Sequence, residues 1–151
     1  MAEPSEGFHL RSSISEKGIY MPISSAIEFR DIVLKANIGT YGPNDVLPKA
    51  HVLDLVLTID PSLVLIKEDL MENVFDYDHL IKEVRDLAHT EHYETQERLV
   101  TCILQNCFAY DEIEAVEILL RKQPVLGNTG EVGVRLIIDK KQMRTLRAKM
   151  D

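Results

Sequence analysis

Residues His51 to Ile59 constrain this chain more than any other stretch. Val52, Asp54, Val56 and Thr58 alternate with Leu53, Leu55, Leu57 and Ile59, and both sets are largely apolar. A strand with one wet face carries polar residues at every second position, whereas one that is apolar on both faces lies inside a sheet. The rest of the chain must therefore flank this strand and cover it. Ile27 to Ile38 alternates more loosely, through Ile27, Phe29 and Ile32 to Leu34, and reads as a strand with a bulge. Ile113 to Leu120 and Glu131 to Ile138 supply two more strands.

Between the two strand pairs the period changes to that of a helix. Leu80, Ile81, Val84, Leu87 and Ala88 form an apolar stripe, with Asp76 as the expected N-cap of a helix from Tyr77 to about His89. Thr95 offers a second N-cap, followed by Leu99, Val100, Ile103, Leu104 and Cys107. Turn residues fill Gly39 to Pro48, Asp60-Pro61 ends the central strand, and Pro124, Gly127 and Gly130 mark the last loop. The order in sequence is ββααββ. It predicts an α+β fold, a four-stranded antiparallel sheet with two helices on one face. Val52, Val56, Val116, Ile118, Val132, Val134 and Leu136 offer more apolar strand surface than two helices can hide. An oligomer joining sheets edge to edge would cover the remainder and remove the open edges.

A chain of 151 residues is one domain. It divides into a flexible N-terminal extension (1–25), a folded domain (26–139) and a basic C-terminal tail (140–151). The tail, with Lys140, Lys141, Arg144, Arg147 and Lys149, reads as solvated and partly frayed. Asp plus Glu outnumber Lys plus Arg by 25 to 17, which argues against nucleic acid as the main partner. No apolar run approaches a membrane span, and the start lacks the apolar core of a secretory signal, so a cytoplasmic protein is expected. Cys102 and Cys107 lie five apart on a helix and face different ways, which predicts reduced thiols.

Four short segments stand at strand ends or helix starts, where sites are commonly built: Asn37 to Gly42, Asp76-Tyr77, Thr95 to Leu99 and Arg121 to Pro124. Together they supply a tyrosine, a carboxylate and an amine. Each has a plainer reading as well. Glu97 can be a common first-turn acid, Lys122 a solvated strand-end lysine and Tyr77 an aromatic that packs its helix on the sheet.

In order and spacing these segments resemble the dihydroneopterin aldolase family of folate biosynthesis. The likeness includes Ile38-Gly39-Thr40-Tyr41-Gly42-Pro43-Asn44-Asp45 and Glu68-Asp69-Leu70. It continues through Tyr77 and Glu97 to Lys122, which precedes Pro124 and Val132-Gly133-Val134. The resemblance implies the tunnelling fold, assembled into an oligomeric barrel, a tetramer or octamer with shared sites. It implies a small pterin as substrate, held by Glu97 with Gln96 beside it, because one carboxylate can accept a ring N–H and an exocyclic amine together. Lys122 would be the base and Tyr77 would reach in from a neighbouring subunit. The implied reaction is a retro-aldol cleavage in which the dihydropterin imine takes up the electrons, so no cofactor, metal or Schiff base is called for. One position departs from the pattern. Asn44 stands where the family carries its catalytic glutamate, with Asp45 the adjacent carboxylate, and Lys49 stands where the family often has glutamine. An amide cannot take a proton. The alternatives are a paralogue that epimerises a pterin side chain, or a pterin-binding oligomer without chemistry.

Overall fold

The computed structural model describes residues 13–14, 20–45, 47–48 and 50–149. In chain order the elements are β1 (Ser13–Ile14), β2 (Tyr20–Met21), β3 (Ser25–Leu34), β4 (Asn37–Ile38), β5 (Ala50–Ile59), α1 (Asp78–Thr90), β6 (His92–Tyr93), α2 (Gln96–Cys107), β7 (Ala115–Gln123), β8 (Val132–Ile138) and α3 (Lys140–Lys149). The four long strands form one antiparallel sheet in the order β3-β5-β7-β8, with two strands before the helical pair and two after it. The central placement of β5 follows from its two apolar faces.

Register sorts the side chains. Leu55 pairs with Phe29 and Ile118, Leu53 with Ile32 and Leu120, and Leu57 with Ile27 and Val116. This face meets the helices through Leu80, Val84 and Ala88 of α1 and Leu99, Val100, Ile103, Leu104 and Cys107 of α2, all buried. Burial of such side chains is worth roughly 1.5–3 kcal/mol each relative to exposure, so this seam carries much of the stability.

The opposite face differs from expectation. Val116, Ile118, Val134 and Leu136 pair within the helix-covered face, as does Val132, which is opposite Lys122. Only Val52 and Val56 of the expected surplus lie on the far side, where they meet charged residues. Arg121 Nη2 donates to Asp54 Oδ1 at 2.8 Å and to Asp31 Oδ1 at 3.1 Å, and Arg135 pairs with Glu117. Expectation erred because it counted apolar residues without knowing which pleat each occupied. The bulge in β3 falls between Phe29 and Ile32, with Asp31 at φ 55 and its N–H donating to Asp54 Oδ1 at 2.8 Å. Aspartate tolerates this left-handed region better than most residues. Gly133 sits across from Arg121, where a Cβ would lie 2.9 Å from Arg121 Cγ, so the glycine leaves space for the arginine stem.

Two other expectations are corrected. Helix α1 begins at Asp78 and not Tyr77, because Asp76 Oδ1 accepts the Asp78 N–H in a local turn, leaving Tyr77 as the N-cap. The basic tail is a third helix, α3. Its Met143 is fully buried, and Arg147 donates to the carbonyls of Phe108, Tyr110 and Ile113 at 3.0, 2.9 and 3.0 Å. In the N-terminal extension Ser13–Ile14 pairs antiparallel with Tyr20–Met21, and the rest of residues 1–19 lies outside the described residues. Cys102 and Cys107 are both free thiols, and burial pushes Cys107 up to about 12. No helix among the described residues is long and apolar enough to cross a membrane.

Candidate functional site

The connections decide which expected residues can meet. Helix α2 leads through a short turn into β7, so the two run antiparallel and the start of α2 lies at the end of β7. Gln96 and Glu97 therefore share one end of the core with Lys122. Helix α1 runs antiparallel to α2. Its Glu83 accepts from Asn106 Nδ2 near the far end of α2, while the Leu87 carbonyl accepts from Tyr93 just before α2 begins. The start of α1 therefore lies toward the other end of the core, and Tyr77 there sets its ring edge-on to Phe29, midway along β3, at 5.6 Å. Phe75 beside it meets Tyr110 in the same manner, at 5.9 Å.

The first loop joins the Lys122 end. Asn37 and Ile38 pair in parallel with His92 and Tyr93, directly ahead of α2. Gly39 N–H donates to the Tyr93 carbonyl at 2.7 Å, and Thr40 Oγ1 donates to Glu94 Oε2 at 3.1 Å. Gly39 is at φ 91, and a Cβ there would lie 3.2 Å from Cε2 of Tyr41, so glycine alone suits both the backbone and the ring folded over it. Asn44 is exposed. The Asp45 carboxylate accepts the Gly42 N–H at 2.6 Å, which holds the loop's own turn.

At the start of α2, Thr95 Oγ1 accepts the Arg98 N–H at 3.1 Å, the expected N-cap. Glu97 is an exposed carboxylate in the first turn of the helix. Gln96 begins the buried stripe of the helix. It is only 8% exposed, and its Oε1 has no partner.

One residue was not singled out in the sequence. His51 lies on the helix-covered face of β5, across the ladder from Lys122 and from Leu34. It is 6% exposed, and its Nε2 has no partner among the described residues. Burial, and then the Lys122 charge, push the imidazole below its ordinary value of 6.5, so it is neutral near pH 7. The only signal in the sequence was a polar residue in phase with Leu53, Leu55, Leu57 and Ile59. Lys122 itself is partly buried.

One end of the fold thus gathers Lys122, His51, Gln96, Glu97 and the loop from Asn37 to Asp45. It offers an amine, a neutral imidazole, a free carboxylate and an unpaired amide oxygen. The cleft of about 570 Å³ between α1 and α2, lined by Leu87, Tyr93, Arg98 and Cys102, holds none of the expected site residues.

Comparison with known proteins identifies the family. The family model described as dihydroneopterin aldolase (FolB) matches residues 27–137, and the chain belongs to that family. The chain is similar in fold to a dihydroneopterin aldolase from Burkholderia thailendensis bound to guanine. That match has a TM-score of 0.65 at 24% identity, covering 78% of this chain and 92% of that one. It is also similar to the E. coli dihydroneopterin aldolase in complex with neopterin, with a TM-score of 0.64 at 18% identity, covering 75% of this chain and 97% of that one. No curated protein matches the chain.

Proposed function

We propose that this protein is a cytoplasmic pterin aldolase whose site is completed between copies of the chain. It would cleave dihydroneopterin to hydroxymethyl-dihydropterin and glycolaldehyde. The observation that carries this reading is the gathering of Lys122, Gln96 and Glu97 at one end of the core while Tyr77 stands at the other. A neighbouring copy can bring its Tyr77 to the Lys122 end, so a homo-oligomer, a tetramer or octamer closed as a barrel of sheets, makes the site whole. The open edges of β3 and β8 favour such joining.

Glu97 accepts the ring N–H and exocyclic amine of the pterin, and Gln96 lies beside it. Lys122 takes the proton of the second side-chain hydroxyl, the adjacent carbon–carbon bond breaks, and the electron pair enters the C6–N5 imine. Glycolaldehyde leaves, and protonation of the remaining side-chain carbon gives the hydroxymethyl product. The ring is the electron sink, so the reading needs no metal, cofactor or Schiff base.

The Asn44 loop favours a second reading. Asn44 cannot accept a proton, and the Asp45 carboxylate already holds the Gly42 N–H. A slower aldolase, a side-chain epimerase or a pterin-binding oligomer without chemistry all fit such a loop. Incubating the purified protein with dihydroneopterin and resolving the products separates them. Glycolaldehyde formation that falls about 10²–10⁴-fold in Lys122→Ala supports the aldolase. A side-chain epimer without glycolaldehyde makes it an epimerase, and tight pterin binding with no product makes it a binder.

A further inference from the structure

We propose that His51 and Lys122 act as one proton-handling pair, with the His51 imidazole as the second proton acceptor of the site. The inference deepens the aldolase reading and rests on it for its chemical role. The two residues are directly opposed on neighbouring antiparallel strands. Side chains in that relation have Cβ atoms roughly 4.5–5.5 Å apart, within reach of a lysine stem. A buried imidazole nitrogen without a partner is rare, because leaving it unpaired costs free energy. It is understandable where a proton or a ligand group arrives during function. Gln96 Oε1, also buried and unpaired at this end of the fold, repeats the pattern.

The surroundings keep His51 ready to accept. Across the ladder it faces apolar Leu34 on β3 and cationic Lys122 on β7, and Lys122 is the charged group whose field reaches it among the described residues. Both influences favour the neutral ring. The loop carboxylate Asp45 is engaged with Gly42, and Asn44 is an amide, which leaves the imidazole as the uncharged nitrogen base directly opposite Lys122. In the reaction the Lys122 ammonium first gives a proton to the His51 imidazole, and the freed amine takes the hydroxyl proton. The side-chain carbon of the product then takes a proton from Lys122, and His51 returns its own to the amine. No net proton or electron is gained or lost by the protein.

The test combines titration with kinetics on the full-length chain. The His51 imidazole is titrated by two-dimensional ¹H–¹⁵N NMR in the parent and in Lys122→Met. The proposal expects a parent pKa below that of an ordinary histidine and a rise in Lys122→Met. An unmoved His51 titration overturns the pair, whether or not the protein cleaves dihydroneopterin. In parallel, His51→Gln keeps hydrogen-bonding capacity without titration. Dihydroneopterin cleavage is expected to fall about 10²-fold, with the acid limb of the kcat profile displaced and neopterin affinity within about twofold of the parent. Parental turnover with a parental pH profile in His51→Gln also overturns the proposal. If the parent cleaves nothing, the aldolase reading fails separately, and the NMR response alone decides whether the two residues are coupled.

Discussion

The two ends of the helix–sheet core solve opposite problems. At the end where α2 turns into β7, polar groups are answered. Arg147 of α3 serves three carbonyls, of Phe108, Tyr110 and Ile113. Glu83 accepts from both Tyr110 and Asn106, and that first bond is the main reason its carboxyl titrates below the ordinary value. At the other end His51 and Gln96 each bury a polar atom without a partner, beside a lysine and an unpaired carboxylate. A fold selected for stability alone would treat both ends alike. On the function proposed above, one end holds the chain together while the other keeps binding capacity open, at a cost in stability.

The largest effect should come from the answered end. Met143 is fully buried, and Met143→Ala removes most of a side chain from a packed site. A loss of about 2–5 kcal/mol is expected in denaturant unfolding. Neopterin affinity of the protein that remains folded should not change. If Met143→Ala costs nothing, α3 is not part of the core, and the comparison loses its stable half.

Glu97→Gln probes the open end. The amide places a donor against the donors of a pterin, so about 1–3 kcal/mol of affinity should be lost in calorimetry with neopterin. Glu97 is exposed, so the unfolding free energy should hardly move. Unchanged affinity would reduce Glu97 to an ordinary first-turn acid.

How much of this contrast was legible in the sequence depends on range. The alternation of His51 to Ile59 announced the central strand, and Thr95 announced the start of α2, because both signals are local. Asp76 was read as the N-cap, but its carboxylate takes the Asp78 N–H in a local turn and Tyr77 holds the cap position. The C-terminal helix was illegible because its stretch is strongly basic and Met143 and Leu146 are its only apolar anchors within the turns that dock. Arg147 takes its meaning from carbonyls more than thirty residues away. His51 was missed for the same reason, since its relation to Lys122 exists only once the β5–β7 register is set. The faces of the sheet failed likewise, because the pleat phase of each strand is a property of the pairing.

A smaller effect, of opposite sign to the usual core substitution, separates binding from stability. Gln96→Leu removes a buried acceptor that has no partner and replaces it with apolar surface. Stability should rise by on the order of 1 kcal/mol. Neopterin affinity should fall, if the amide serves the ligand as proposed. Destabilisation by Gln96→Leu would mean that the amide oxygen is satisfied in solution, and one of the two open groups would disappear.

The smallest expected effect is a slope. The His51 imidazole titrates below its ordinary value in the folded chain, from burial first and the Lys122 charge second. Between the two values the unfolded chain binds a proton that the folded chain does not. Its contribution to stability is therefore complete above about pH 6.5 and is lost as pH falls through the lowered value. One proton can give a slope of at most about 1.4 kcal/mol per pH unit. Glu83 and Asp60 also titrate low, but their ordinary values of 4.5 and 3.8 place their losses in more acidic solution. Urea unfolding between about pH 6.5 and 5 thus reads the histidine apart from the carboxylates. His51→Gln should flatten that segment of the stability curve and leave the decline below pH 4.5 in place. Lys122→Met should flatten it in part, since burial would still act on the ring after the lysine charge is gone. A parental slope in His51→Gln would assign the segment to another group and leave the open end without its buried base.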